Sequence, residues 1–204
     1  MVISMIVFII WTTWNIRKVN NIHYASIRNL DISNGEGIGV SLFVQGCDRH
    51  CFNCFNPDTW DFNGGKEWTE ETKNKFIKLI DRPYINRISV LGGEPLAEQN
   101  LDEVLSLIKE IRISFPEKTI WLYTGYDFDL LNSKYNEYKY TPFAANADEW
   151  LTRWEIISNV NVLVDGEYID EQRDITLKWR GSSNQRVIDV KQSLTQNKVI
   201  LYCN

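Results

Sequence analysis

A chain of 204 residues that is 44% apolar and 13% aromatic has enough material for one full core and is not a disordered polypeptide. Its 27 acidic and 22 basic residues give a net charge of −5, without the basic excess of a general nucleic-acid binder. Four cysteines in a chain this long do not make a disulfide framework, which favours a reducing, cytoplasmic setting with thiols kept for chemistry.

The first 14 residues, MVISMIVFIIWTTW, are uncharged, and Arg17 and Lys18 follow them. The run is shorter than the roughly 17–25 apolar residues of a spanning helix. It also lacks the basic start and small-residue cleavage site of a secretory signal. Residues 1–22 are therefore expected to be an extension outside the fold, with no membrane role. Residues 23–204 are expected to form a single domain.

GVSLFVQG (39–46) is an apolar run bounded by glycines and reads as a buried strand that delivers the chain into Cys47. TEETKNKFIKLI (69–80) reads as a helix capped by Thr69, with Glu70 and Glu71 at the positive end of its dipole. RISVLGGEP (87–95) is a strand that stops at a glycine pair. In NLDEVLSLIKEIRISF (100–115), Leu101, Val104, Leu105, Ile108 and Ile111 share one helical face, and Asn100 with Glu103 has the pattern of a capping box. TIWLYTG (119–125) is a further strand, DFDLLNSKY (127–135) a weaker helix, DEWLTRWEII (148–157) a stronger one, and VNVLVDG (160–166) another strand. This alternation predicts an α/β sheet with parallel strands. In such sheets ligands bind at the C-terminal ends of the strands, where three of these runs carry glycine. In the tail, ITLKW (175–179) and RVIDV (186–190) flank a turn-rich RGSSNQ, and predict either a terminal hairpin or a strand followed by a loop.

The segment CDRHCFNCFN (47–56) places Cys47, Cys51 and Cys54 at C-x3-C-x2-C spacing. A cluster of four irons ordinarily takes four cysteines, one for each iron. With three, one iron keeps an open position where a molecule can bind and accept an electron, as catalytic zinc keeps a place for water. The competing reading is structural zinc held by the three cysteines with His50 or Cys203. Asp48, Arg49, His50 and Asn53 make the segment polar, so it reads as a loop. Downstream, Gly92 and Gly93 let the backbone approach a ligand closely, and Glu94 and its neighbours can hydrogen-bond a ligand amino group.

CDRHCFNC together with GGEP resembles the radical S-adenosylmethionine superfamily. ISNGEGIGVSLFVQGC, CFNPDTWDFNGG, LGGEPL, IWLYTGY, VLVDG and RGSSNQRVIDV, spread over roughly residues 23–190, are similar to the activating proteins of anaerobic ribonucleoside-triphosphate reductase. That resemblance implies an incomplete α/β barrel with one [4Fe-4S] cluster held by Cys47, Cys51 and Cys54. The amino and carboxylate groups of S-adenosylmethionine would take the fourth iron, and Gly92, Gly93 and Glu94 would line the methionine end. The superfamily often has an aromatic residue just before the third cysteine. Here that place is Asn53 and Phe55 follows, which leaves the adenine contact open among Asn53, Phe55, Thr124 and Val164. The implied activity is reductive cleavage of S-adenosylmethionine to methionine and a 5′-deoxyadenosyl radical, which takes a hydrogen from a glycine of the reductase. An external one-electron donor such as a flavodoxin is implied as well, and no side-chain acid or base is required.

Two other readings stand beside this one: activation of another glycyl-radical enzyme of the pyruvate formate-lyase type, and a zinc-stabilised interaction module with no enzymatic activity. Asn34, Gly35 and Glu36 either approach the cofactor or form a turn, and their composition favours the turn. Arg180, Asn184 and Arg186 belong either to a loop that docks the reductase or to a solvated turn. Trp60 is read as packing. His23, His50 and Cys203 receive no role.

Overall fold

The computed structural model describes residues 22–203. The N-terminal extension expected from the sequence therefore lies, apart from Ile22, outside the described residues. Ile22 itself packs into the core, and its carbonyl accepts from the Trp68 amide at 2.9 Å.

Among the described residues seven strands form one sheet: β1 His23–Asp31, β2 Gly39–Val44, β3 Lys66–Glu67, β4 Arg87–Gly92, β5 Thr119–Tyr123, β6 Val162–Asp165 and β7 Arg186–Asp189. Their spatial order is β3-β1-β2-β4-β5-β6-β7. The central strands β2, β4, β5 and β6 run parallel, while β1, β3 and β7 pair antiparallel with their neighbours. The helices are α1 Glu70–Ile80, α2 Leu101–Ser114, α3 Phe128–Tyr138, α4 Ala147–Ser158 and α5 Val190–Gln196. The result is an α/β fold with a mixed sheet whose parallel centre is the part legible as apolar runs. Among the described residues no helix is long and apolar enough to cross a membrane.

Side chains alternate across the parallel strands. Leu42, Val44, Ile88, Val90, Ile120, Leu122 and Leu163 enter the main core, which the apolar faces of α1, α2 and α4 cover. Trp121, Val162, Val164 and Val187 form a second cluster on the other face. Both faces of β2 and β6 are buried, as expected for parallel strands.

Arg87, fully buried, closes the second face near the start of β4. Its Nη2 donates to the Asp31 carbonyl at 2.7 Å and lies 3.4 Å from the Asp31 carboxylate, and Nη1 donates to the Asn34 carbonyl and the Ser89 hydroxyl. Asp31 in turn accepts from the Ser33 and Asn34 amides at 2.7 and 3.0 Å. Burial alone would raise its pKa, but hydrogen bonds from Asn34 and Ser33 outweigh it and hold the carboxyl at about 2. Asn34, Gly35 and Glu36 thus belong to a turn built on Asp31.

Thr69 caps α1 as predicted, its side chain accepting from the Thr72 amide at 3.2 Å. The expected capping box of α2 is absent. Asn100 has helical backbone angles and caps nothing with its side chain. Its buried amide donates to the Gln45 and Glu94 carbonyls at 3.0 and 2.9 Å, and Glu103 accepts from the Trp68 indole at 2.9 Å. The tail also differs from expectation. ITLKW forms no strand, and RVID pairs with β6 rather than folding back as a hairpin.

Candidate functional site

The chain leaves β2 at Val44 and enters the cysteine loop through Gln45 and Gly46. The returning segment holds the entrance of this loop. Gly46 and Cys47 amides donate to the Thr59 and Trp60 carbonyls at 2.8 and 3.0 Å, and the Gln45 side chain donates to the Asp58 carbonyl at 2.9 Å. Within the loop, the Cys54 amide donates to the Cys51 carbonyl at 3.1 Å, and the Asn56 amide to the Cys54 sulfur at 3.3 Å. His50 lies against the Trp60 ring, with 4.7 Å between centroids. Trp60 is a packing residue of this loop.

The end of β4 is fastened to the start of the loop. The Gly93 amide donates to the Val44 carbonyl at 2.9 Å and the Glu94 amide to the Gly46 carbonyl at 2.8 Å. Both glycines are needed here. Gly92 has φ +108°, and a Cβ on Gly93 would lie 2.4 Å from the Gly46 oxygen.

Glu94 is 1% exposed, and its carboxylate ties the turn after β4 to the end of β5. Oε1 accepts from the Leu96 amide at 2.9 Å and the Thr124 hydroxyl at 2.7 Å, and Oε2 accepts from the Gly125 amide at 2.8 Å. Arg49, from the cysteine loop, places Nε 3.5 Å from Oε2 and its guanidinium 4.1 Å from the centre of the Tyr126 ring. Burial pushes the Glu94 pKa up, against the pull of these hydrogen bonds and of Arg49.

These elements surround a cavity of about 430 Å³ at the C-terminal ends of the parallel strands. Cys47, Cys51, Cys54, Gly92, Gly93 and Glu94 all line it. So do Phe55, Thr124 and Val164, three of the four residues left open for the adenine. Asn53 is not part of the lining: its amide donates to Asp170 at 2.9 Å and anchors the loop from outside. Asn34 and Arg180 reach the cavity. Asn184 and Arg186 do not: the first donates to the Glu167 carbonyl, and the second is paired with Asp165 and Asp129.

Sequence reasoning missed Arg49, Tyr123 and Trp179, which also face the cavity. Arg49 alone carried a usable signal, as a cation inside the C-x3-C interval.

The thiols of Cys47, Cys51 and Cys54 are free and partly exposed. Among the described residues no group of three His, Cys, Asp or Glu side chains is gathered closely enough to hold a metal ion as it stands. The three thiols line one cavity. Burial raises the Cys47 pKa, and burial with the Glu167 charge pushes Cys51 up to about 11. Soft thiol donors on one loop, with glycine backbone lining the same cavity, fit an iron–sulfur cluster with an open iron.

Residues 33–188 match the sequence family described as a 4Fe-4S single cluster domain. The anaerobic ribonucleoside-triphosphate reductase-activating protein of Salmonella typhi is 38% identical over 160 residues, 78% of this chain and 92% of that protein. Its namesake from Escherichia coli K12 is 36% identical over 167 residues, 81% and 97% of the two chains. That of Enterobacteria phage T4 is 34% identical over 167 residues, 81% and 92%.

Proposed function

We infer the function from kinship: the chain belongs to the family of anaerobic ribonucleoside-triphosphate reductase-activating proteins, and it is a radical S-adenosylmethionine activase with a [4Fe-4S] cluster. When bound, cluster and cofactor supply one-electron cleavage of the sulfonium to methionine and a 5′-deoxyadenosyl radical, which takes a hydrogen atom from a glycine of the reductase. The chain's own residues bind, orient and exclude water.

In our reading Cys47, Cys51 and Cys54 hold three irons. Gly92 and Gly93 offer main-chain groups to the methionine end of S-adenosylmethionine. Glu94 keeps those groups in place and lines the same end. The cavity lining favours Phe55, Thr124 and Val164 for the adenine, with Asn53 fixing the loop through Asp170. Two features support this assignment. The cysteine loop and the Gly-Gly-Glu turn are hydrogen-bonded to each other, and both face one cavity.

The four central parallel strands, opening their C-terminal ends on that cavity, support reading the sheet as an incomplete barrel and residues 23–204 as one domain. An external one-electron donor of the flavodoxin type and a cytoplasmic setting complete the proposal. Zinc is not favoured, because His50 is engaged with Trp60 and the matched family carries a 4Fe-4S cluster.

Kinship over about 80% of the chain carries the function, and the shared cavity of cysteine loop and glycine turn supports the site. The test is to mix reduced, cluster-loaded protein with S-adenosylmethionine and the anaerobic reductase under argon. A glycyl-radical doublet in the paramagnetic resonance spectrum is expected. Cofactor cleavage without any radical on the reductase would refute the activase reading.

A further inference from the structure

Arg49 is a cation set in sequence between Cys47 and Cys51, and it lines the cavity that the cysteines share. Its stem lies so close to Gly125 that a Cβ there would meet Arg49 Cδ at 2.3 Å. Its guanidinium stands 4.1 Å from the centre of the Tyr126 ring. Two carboxylates share that guanidinium: Glu94 Oε2 is 3.5 Å from Nε, and Glu167 Oε2 is 3.9 Å from Nη1. Glu94, Tyr126 and Glu167 follow β4, β5 and β6, so one side chain joins the cysteine loop to three strand ends.

The same two carboxylates bear on the ligand sulfurs. The Glu94 charge acts on Cys47 and the Glu167 charge on Cys51, and both oppose negative charge there. Arg49 offsets both. Its side chain is 21% exposed, so water screens its charge only in part.

The potential of an iron–sulfur cluster follows the net charge around it, the hydrogen bonds to its sulfurs and its exposure. Reduction moves one electron from the external donor, which is oxidised, to the cluster, with no bond formed or broken. It adds a negative charge to an assembly that already carries three thiolates, and a fixed cation lining the same cavity favours that charge. Resting on the function above, we propose that Arg49 tunes the [4Fe-4S] cluster: by offsetting Glu94 and Glu167 beside the cysteine loop, its charge raises the reduction potential and favours the electron transfer that precedes cofactor cleavage.

Cluster-loaded wild type, Arg49→Gln, Arg49→Lys and Glu167→Gln are poised with redox mediators under argon, without S-adenosylmethionine or reductase. Paramagnetic resonance counts the reduced cluster at each potential. Arg49→Gln is expected to lower the reduction equilibrium about tenfold, ~59 mV for one electron. Arg49→Lys keeps the charge and is expected to stay within about twofold of wild type. Glu167→Gln removes an opposing charge and is expected to raise the equilibrium about threefold. An Arg49→Gln potential equal to wild type overturns the proposal. So does an Arg49→Lys potential as low as that of Arg49→Gln, because the arginine would then be a geometric brace alone. A Glu167→Gln potential that is unchanged or lowered overturns it in every case, including one in which Arg49→Gln takes up no iron. The potentials are read without the reductase. A wild type that leaves no radical on the reductase therefore loses the activase reading while the tuning result stands, and unshifted potentials end the tuning alone.

Discussion

Replacing Glu94 by Gln tests whether the carboxylate organises the strand ends. It accepts from Leu96 N, Thr124 Oγ1 and Gly125 N at 2.9, 2.7 and 2.8 Å, and Arg49 Nε stands 3.5 Å away. An amide keeps one oxygen and turns the other into a donor. If the NH2 replaces Oε2, it faces the Gly125 N–H and Arg49. If it replaces Oε1, it faces the Leu96 N–H, while the Thr124 hydroxyl can rotate to accept. Either orientation loses a charge-assisted bond and leaves one buried amide unmade, at a cost of about 2–4 kcal/mol. For a domain of this size that is a fall of roughly 5–15 °C in Tm. Circular dichroism melts of the apoprotein under argon measure it, and 5′-deoxyadenosine assays of the loaded protein follow the site. Displacement of the Gly125 and Leu96 backbones should lower cleavage together with Tm. A variant that melts within about 2 °C of wild type and cleaves the cofactor normally would refute the reasoning.

Single Cys47→Ala, Cys51→Ala and Cys54→Ala variants should each lose the cluster absorbance and cofactor cleavage, whereas Cys203→Ala should keep both. Equal activity in all four ends the ligand assignment. Gly93→Ala puts a Cβ 2.4 Å from the Gly46 oxygen and should destabilise the protein by ~1–3 kcal/mol in urea titration while lowering iron content; an unchanged midpoint and full iron content would show that the two loops are not tightly joined. The apoprotein should lose stability in alkali. The Cys51 thiol moves from 9.0 to about 11 on folding and Cys47 shifts the same way, so the unfolded chain releases these protons first. Their contribution is full below about 9 and disappears between about 9 and 11, so a urea midpoint that stays flat or rises over that window contradicts the burial of these thiols.

The parts of the fold legible in the sequence are those where burial is two-sided or one helical face is apolar. β2, β4, β5 and β6 read as short apolar runs because both their faces are covered, and α1 and α2 read through their apolar stripes. Strand β1 was not legible. Its residues HYASIRNLD are mostly half-buried or exposed, so neither an unbroken run nor a clean alternation marks it as an edge-side strand. The capping-box pattern misled because Asn100 is 1% exposed, and its amide is spent on the Gln45 and Glu94 carbonyls. At the site, cysteine spacing and the Gly-Gly-Glu turn announce themselves by residue type. Tyr123 and Trp179 do not. In sequence they resemble ordinary packing aromatics, and only the twist of the sheet with the return of segment 177–181 brings them to the cavity.

RGSSNQR illustrates how one composition divides into different physical roles. Asp165, fully buried at the end of β6, accepts from the Phe128 amide at 2.8 Å and from Arg186 Nε at 3.0 Å. That carboxylate joins the start of α3, the end of β6 and the start of β7. From this fixed point Gln185 turns back, donating to the Gly166 carbonyl at 2.9 Å and accepting from the Gly181 and Ser182 amides at 2.8 and 3.2 Å. Asn184 adds a bond to the Glu167 carbonyl at 2.8 Å. The polar residues of the motif are therefore neither a solvated turn nor a free docking loop. They bind main chain to main chain and make segment 177–181 a braced wall of the cavity. A braced wall keeps the cavity's shape constant around whatever it holds, which positioning a reactant requires.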